Sequence, residues 1–375
     1  MKICIDLTSL ADNFSGIERF AASITYYMIE QSDNDYILIF KERVHPMFEE
    51  TVQKSNVDSV VLPGCGKLLF NQIRLPWAIH RIRADWYLFM AFPVPVLSNK
   101  KNMVSAIHDI CCWDWPDTMN GMSKWYFRIS HRVAIRKCRS IITISNFSRD
   151  RIVEKLKYQL EKIWIIYCGV DEKFIPIKDQ NKINEVREKY SLPEEYVLSL
   201  STLEPRKNIR LLIDAYRELV LSQKVKVPLV LAGRKGWKME ELMAGIEPEV
   251  EKNIIFTGFV DDEDLAAVYT GAKLFIFPSL YEGFGMPPLE AMACGAPVIS
   301  SNAASLPEIL GDAAFYFKSN NLCDLEEKIV TVLSLESNEK NLVKEKGITQ
   351  SQKYNWSVEA MKLRESLKVV VCFFN

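Results

Sequence analysis

The chain has 375 residues, of which 48% are hydrophobic and 25% charged, with a formal net charge of −1. That balance excludes a disordered tail and a nucleic-acid binder held by a basic surface, and the length exceeds what one hydrophobic core ordinarily holds, so two domains are expected. Nine cysteines, an odd number with no Cys-x-x-Cys spacing, read as free thiols in a reducing compartment rather than as disulfides or zinc ligands.

The opening apolar run Ile3-Cys4-Ile5 is broken by Asp6, and no later stretch reaches membrane-spanning length, so a cytoplasmic protein is expected. Strand-like runs at 2–7, 36–40, 59–62, 86–90, 104–107, 141–144 and 162–167 alternate with helical patterns, as in a parallel sheet covered by helices. The first run feeds the loop Asn13-Phe14-Ser15-Gly16-Ile17-Glu18, where Glu18 suits the positive start of the next helix. Asp33-Asn34-Asp35 has the spacing of a metal-binding Asp-x-Asp pair. It precedes a strand, at the end of a sheet away from ligands, and reads as a turn, so no essential metal is expected.

Ile107-His108-Asp109 closes the 104–107 run, which brings its polar pair to the ligand-facing edge, just before Trp113 and Trp115. Lys124, Arg128, Arg132 and Arg136 then recur every four residues in 122–139, a segment without an acid and interleaved with Trp125, Phe127 and Ile129. Two readings fit that stripe equally: a solvated helix face, or a surface that meets anionic membrane lipid or a lipid-diphosphate acceptor.

The polar, charged stretch 171–195 has the composition of an interdomain connection, after which strands are read at 196–200, 229–232, 254–256, 274–277 and 297–300. In open α/β sheets ligands sit beyond the carboxyl ends of the strands. That places Glu204-Pro205-Arg206-Lys207, Gly233-Arg234-Lys235, Gly258-Phe259-Val260 and Glu282-Gly283-Phe284-Gly285-Met286-Pro287-Pro288-Leu289-Glu290 on one rim. In the last of these a strand ends in a glycine loop that feeds a helix start, a natural seat for phosphate. Carboxylates on either side of such a seat accept hydrogen bonds from hydroxyls, as a nucleotide sugar would offer. Arg206 and Lys207 supply cations for a departing diphosphate. Asp261 and Asp262 suit helix caps. The tail 369–375 is apolar and either packs or touches a partner.

The paired-glutamate segment resembles that of the retaining glycosyltransferases of family 4, which includes bacterial mannosyltransferases and sucrose-phosphate synthase. Ser201-Thr202-Leu203-Glu204-Pro205-Arg206-Lys207-Asn208 and Thr257-Gly258-Phe259-Val260 are similar to the same family, and the resemblance covers nearly the whole chain. It implies the α/β fold called GT-B, two Rossmann-like domains whose parallel sheets face a central cleft. The implied division is an acceptor-binding domain over 1–170, a connection over 171–195, a donor-binding domain over 196–355, and a helix over 356–375 that crosses back to the first domain.

The resemblance also implies roles. Glu290 takes the ribose; Arg206, Lys207 and the backbone of Gly283, Phe284 and Gly285 take the diphosphate; Phe259 and Val260 lie beside the base; Leu289 is a further donor-binding position. Glu282 is carried over as the catalytic carboxylate on sugar hydroxyls, His108 as a contact to the transferred sugar and Asp109 as an acceptor-side residue. Gly16 matches the family's first loop, where a glycine backbone approaches the donor diphosphate or the acceptor, and is carried over as a donor-binding residue, although the usual second glycine is Glu18 here.

The implied activity is transfer of a hexose, mannose from GDP-mannose in the first place, with retained configuration and without cofactor or essential metal. The acceptor is a glycan or a polyprenyl-diphosphate-linked oligosaccharide of cell-surface polysaccharide or lipopolysaccharide synthesis, and no nucleic acid is a partner. UDP- and dTDP-sugars, and a non-catalytic nucleotide- or glycan-binding protein, stay open. Under the second reading of 122–139, the protein would also touch the inner face of the membrane. A nicotinamide oxidoreductase is the further rival, disfavoured because no Gly-x-Gly-x-x-Gly follows the first strand of either half.

Overall fold

The structure, a computed structural model, describes residues 1–11, 14–66, 69–92, 94–119, 121–234 and 242–372, the last three by backbone alone. Asn13, Lys235 and the tail beyond 372 lie outside the described residues. Contacts divide the chain into two compact units, Met1–Gly169 with Asn355–Asn375, and Val170–Tyr354. The 171–195 stretch lies within the second unit and carries the Gln180–Tyr190 helix.

In the first unit β1 (Lys2–Asp6), β2 (Asp35–Lys41), β3 (Val57–Leu62), β4 (Trp86–Phe89), β5 (Met103–Ala106), β6 (Ser140–Thr143) and β7 (Ile163–Ile165) form one sheet in the order β3-β2-β1-β4-β5-β6-β7. Every pairing is parallel. Helices cover a parallel sheet on both faces, so its inner strands are continuous apolar runs, and β4, β5 and β6 are buried at every residue. The 162–167 run pairs only over β7, because Lys162 belongs to the 3-10 turn before it. The Trp356–Cys372 helix packs on the Gly16–Glu30 helix, with the Trp356 ring edge-on to Phe20 at 6.2 Å and Arg364 donating to the Gln31 carbonyl.

In the second unit β8 (Val197–Leu200), β9 (Leu229–Ala232), β10 (Ile254–Gly258), β11 (Leu274–Phe277), β12 (Val298–Ser301) and β13 (Phe315–Phe317) run in the order β10-β9-β8-β11-β12-β13, again all parallel. β13 is an added edge strand of three residues, too short to show a periodicity, with Phe315 and Tyr316 half-buried. The order reverses between β8 and β11, and the crevice outside the carboxyl ends of such a pair is where open α/β sheets hold ligands. Arg206 and Lys207 follow β8, and Glu282 follows β11.

Candidate functional site

The loops after β8 and β11 are braced together before any charge is considered. Leu280 N–H donates to the Arg206 carbonyl at 2.9 Å, and Arg206 Nη1 returns a bond to the Tyr281 carbonyl at 2.8 Å. Glu282 is only 8% exposed on this brace. Its carboxylate accepts from Lys207 Nζ at 2.6 Å, from Ser279 Oγ at 2.6 Å and from Arg206 Nη1 at 3.2 Å. Arg206 Nη2 also meets Glu204 at 2.9 Å. Two cations therefore stand against two carboxylates, so a diphosphate arriving here would share Arg206 and Lys207 with Glu282. Burial pushes the Glu282 carboxyl up, but the Lys207 and Arg206 charges and their hydrogen bonds outweigh it and hold it below the usual carboxylate range.

Three buried serines complete the brace. Ser279 has just been placed; Ser301 Oγ donates to the Ser279 carbonyl, and Ser305 Oγ to the carbonyls of Glu282 at 2.9 Å and Phe284 at 3.2 Å. None was singled out from the sequence, since serine is common on any polar loop and carries no periodic signal.

Gly285 precedes the Met286–Ala293 helix with φ +103°, and a Cβ there would fall 2.6 Å from Leu306 Cδ2. Only glycine fits both constraints. Pro287 and Pro288 carry no N–H, so the amide donors of this helix start narrow to Gly285, Met286 and the loop before them. Phe284 is buried edge-on against Tyr354 at 5.4 Å and Leu289 is fully buried, so their side chains belong to the core and only their backbone can serve a ligand. Glu290, also buried, accepts from the Tyr269 hydroxyl at 2.9 Å.

At the end of β10, Gly258 has φ +72° and Val260 is buried, whereas Phe259 is 43% exposed beneath the Arg234 guanidinium at 4.9 Å. The acids after it do not act as the expected caps. Asp261 accepts from Lys189 Nζ at 2.8 Å and from Tyr190 at 3.2 Å, and Asp262 pairs with Lys173. The N-cap position belongs to Asp264, buried between Lys189 at 2.7 Å, Tyr190 at 3.0 Å and Lys182 at 3.2 Å. The Gln180–Tyr190 helix thus clamps the loop after β10.

Gly16, His108 and Asp109 lie in the first unit. Gly16 opens the Gly16–Glu30 helix, and Glu18 accepts the Ser15 N–H at 2.7 Å, a helix-start role. His108 Nε2 lies 2.8 Å from the Met90 carbonyl, which can only accept, so Nε2 carries the proton and Nδ1 is left as an acceptor. The ring is edge-on to Phe20 at 5.0 Å. Burial lowers its pKa, against the Met90 bond and the Asp109 charge, so the imidazole is neutral at pH 7. Asp109 Oδ1 accepts the Cys111 N–H at 2.8 Å and shapes the turn that follows. Asp35 is the first residue of β2, which puts Asp33-Asn34-Asp35 at the amino end of that strand.

The basic segment differs from its expected stripe. Arg128 turns inward, its Nε donating to the Cys112 carbonyl at 2.8 Å and its guanidinium lying over Trp113 at 4.9 Å. The solvent side of the Gly121–Lys137 helix is instead Met122, Trp125, Ile129, Arg132 and Arg136. Among the described residues no helix is long and apolar enough to cross a membrane.

Residues 181–348 match the family model described as glycosyl transferases group 1, and residues 14–174 match that described as Glycosyltransferase Family 4. The chain is 32% identical over 290 residues to O-antigen chain mannosyltransferase B of Escherichia coli, covering 77% of this chain and 75% of that protein. It is 36% identical over 235 residues to the serotype-specific mannosyltransferase WbdA of Escherichia coli, covering 62% of this chain but 29% of that protein. The chain thus spans less than a third of the length of WbdA. A crystal structure of Anabaena Alr3699/HepE in complex with UDP and glucose superposes with a TM-score of 0.72 at 18% identity, over 98% of this chain and 100% of that one.

Proposed function

The chain belongs to glycosyltransferase family 4, with two Rossmann-like units of the GT-B type, and we propose that it transfers mannose from GDP-mannose with retained configuration. The acceptor is a growing surface glycan or its polyprenyl-diphosphate-linked precursor. The observation that carries this reading is Glu282 held by Lys207 and Arg206 where the order of the second sheet reverses. A buried carboxylate fixed between two cations is a preorganised pair of charges, with remaining lone pairs for a sugar hydroxyl and cations for a leaving diphosphate. The likeness to O-antigen mannosyltransferases supports the hexose and the class of product.

In this mechanism Glu290 orients the ribose, and Arg206, Lys207 and the Gly283–Gly285 backbone hold the diphosphate. Phe259 and Val260 flank the base, and Glu282 orients the hexose. Gly16, His108 and Asp109 of the first unit are assigned to the acceptor. Its oxygen bonds to the anomeric carbon on the face from which the diphosphate departs, and its proton passes to the departing phosphate oxygen. The leaving charge is carried by Arg206 and Lys207, so the reaction needs no essential metal. Free thiols at the described cysteines suit a cytoplasmic location.

Calorimetric titration of the metal-free protein with GDP-mannose, UDP-glucose, UDP-galactose, UDP-N-acetylglucosamine and dTDP-rhamnose tests the donor. Selective binding of GDP-mannose is expected. A UDP- or dTDP-sugar bound in its place moves the donor, and no binding to any of them overturns the enzymatic reading in favour of a non-catalytic one.

A further inference from the structure

The rim segment Gly233-Arg234 has no part in the mechanism above, yet it lies against the loop assigned to the base. Backbone bonds join the loops after β8, β9 and β10. Leu203 N–H donates to the Arg234 carbonyl at 3.2 Å, and Gly233 N–H to the Gly258 carbonyl at 2.8 Å. A Cβ at Gly233 would overlap the Ser201 carbonyl oxygen, so only glycine permits this approach. On the far side the Tyr190 hydroxyl accepts the Asp261 N–H at 3.0 Å, and Lys189 bridges Asp261 and Asp264. Val260 is buried within this frame, while Phe259 presents its ring to solvent. Phe259 is therefore an exposed aromatic plate on a fixed loop.

The Arg234 guanidinium stands over that plate, 4.9 Å from the ring centroid. It differs from every other arginine of the second unit. Arg206, Arg210 and Arg217 meet carboxylates, and Arg187 donates to the Glu194 carbonyl. Among the described residues the Arg234 guanidinium has no such partner and engages Phe259 alone. An exposed cation–π contact is weak, so the guanidinium can leave the ring for a better acceptor. Its backbone is tied to the β8 and β10 loops, so its N–H donors stay within a side chain's length of the ring.

Stacking on Phe259 cannot choose a base, since every base has a π-face. The base edge can be chosen. Guanine sets two acceptors, O6 and N7, side by side, which matches the paired donors of a guanidinium; adenine puts an amino donor beside N7, and uracil or thymine offers O4 alone. Glu290, Arg206 and Lys207 are assigned to the ribose and the diphosphate, which are common to every ribonucleoside diphosphate and carry no preference among bases.

We propose that Arg234 is the guanine-selecting residue of the donor site: the base stacks on Phe259, and the guanidinium moves from the ring to the base edge and donates to O6 and N7. This inference rests on the reading of Phe259 and Val260 as the base-side residues.

The test is calorimetric titration of the full chain, and of its Arg234→Met and Arg234→Lys variants, with GDP, inosine diphosphate, 7-deaza-GDP and UDP. In the parent, inosine diphosphate keeps O6 and N7 and should bind more tightly than 7-deaza-GDP, which lacks N7. Arg234→Met should weaken GDP about 10-fold or more, leave UDP unchanged and remove the difference between GDP and 7-deaza-GDP. Arg234→Lys keeps a donor for guanine and should recover part of the loss. Arg234 is exposed, and thermal midpoints equal to the parent's would show both variants to be folded. Equal weakening of GDP and UDP in Arg234→Met would place this cation on the diphosphate, and parental GDP affinity would leave it without a role; either overturns this inference and leaves the donor site standing. Tighter binding of UDP than of GDP to the parent overturns the guanine preference but keeps a nucleotide site. No binding of any nucleotide to the parent overturns the donor reading itself, and this inference with it.

Discussion

Replacing Glu282 by glutamine keeps the shape of the side chain and removes its charge. The carboxylate and Lys207 have side chains 10% and 13% exposed, and Arg206 is somewhat more open at 20%. Glutamine retains one oxygen for Ser279, but its amide nitrogen would turn a donor toward a donor at Lys207 or Arg206. Removing one member of a buried ion pair costs about 3–5 kcal/mol, and the partial exposure of Arg206 brings the expectation to about 2–4 kcal/mol. For a unit of this size that lowers the thermal midpoint by about 5–15 °C. Lys207→Met added to the same variant removes the unpaired cation, so the double variant should be more stable than the sum of the single changes by at least about 1 kcal/mol.

The same substitution separates binding from chemistry. Lys207 and Arg206 are released toward the diphosphate, so nucleoside diphosphate should bind at least as tightly as to the parent, while transfer falls about 100-fold or more. The carboxyl is depressed in the folded chain, so its stabilisation is complete above the usual carboxylate range and is lost as pH falls through the depressed value. Glu282→Gln should flatten that acid limb. Calorimetric melting of the full chain and steady-state transfer are the two assays. A midpoint within about 1 °C of the parent together with undiminished turnover would refute the reasoning.

His131 is buried beside Cys112, and burial, with a smaller push from His108, lowers its pKa from 6.5 to about 3. The unfolded chain takes the proton first, so stability falls as pH drops below 6.5. By pH 5 the loss is about 2 kcal/mol, and it should vanish in His131→Gln when melting is followed against pH. Gly285→Ala meets both a φ of +103° and Leu306, and should cost about 1–3 kcal/mol, more than Gly258→Ala, whose φ is +72° but whose Cβ would enter open space. Chemical denaturation of the two variants ranks them. Tyr269→Phe removes the hydroxyl bond to Glu290, worth about 1 kcal/mol, and should weaken nucleotide binding about 5-fold with kcat unchanged.

The sheets were legible because a strand covered on both faces is apolar along its whole length, as Leu274–Phe277 is, and needs no partner to be recognised. β13 was not, because three edge residues, two of them half-buried, resemble any loop with aromatics. The meeting of Arg206, Lys207 and Glu282 could be read from strand ends alone, since the rim rule depends on chain order. Periodicity shows which residues share a helix face, but not where that face points: it grouped Arg128 with Arg132 and Arg136, yet Arg128 is turned onto Cys112 and Trp113. Asp261 failed as a cap for a related reason, because its partners Lys189 and Tyr190 stand about seventy residues earlier and local sequence cannot show them.

The central claim is tested most directly by transfer itself, with GDP-mannose, polyprenyl-diphosphate-linked acceptors and EDTA in one reaction, read by GDP release and by the anomeric configuration of the new linkage. Equimolar GDP and an α-mannoside, unaffected by EDTA and lost in Glu282→Gln, are the results predicted. A β-mannoside, or no GDP release with any such acceptor, would contradict the account.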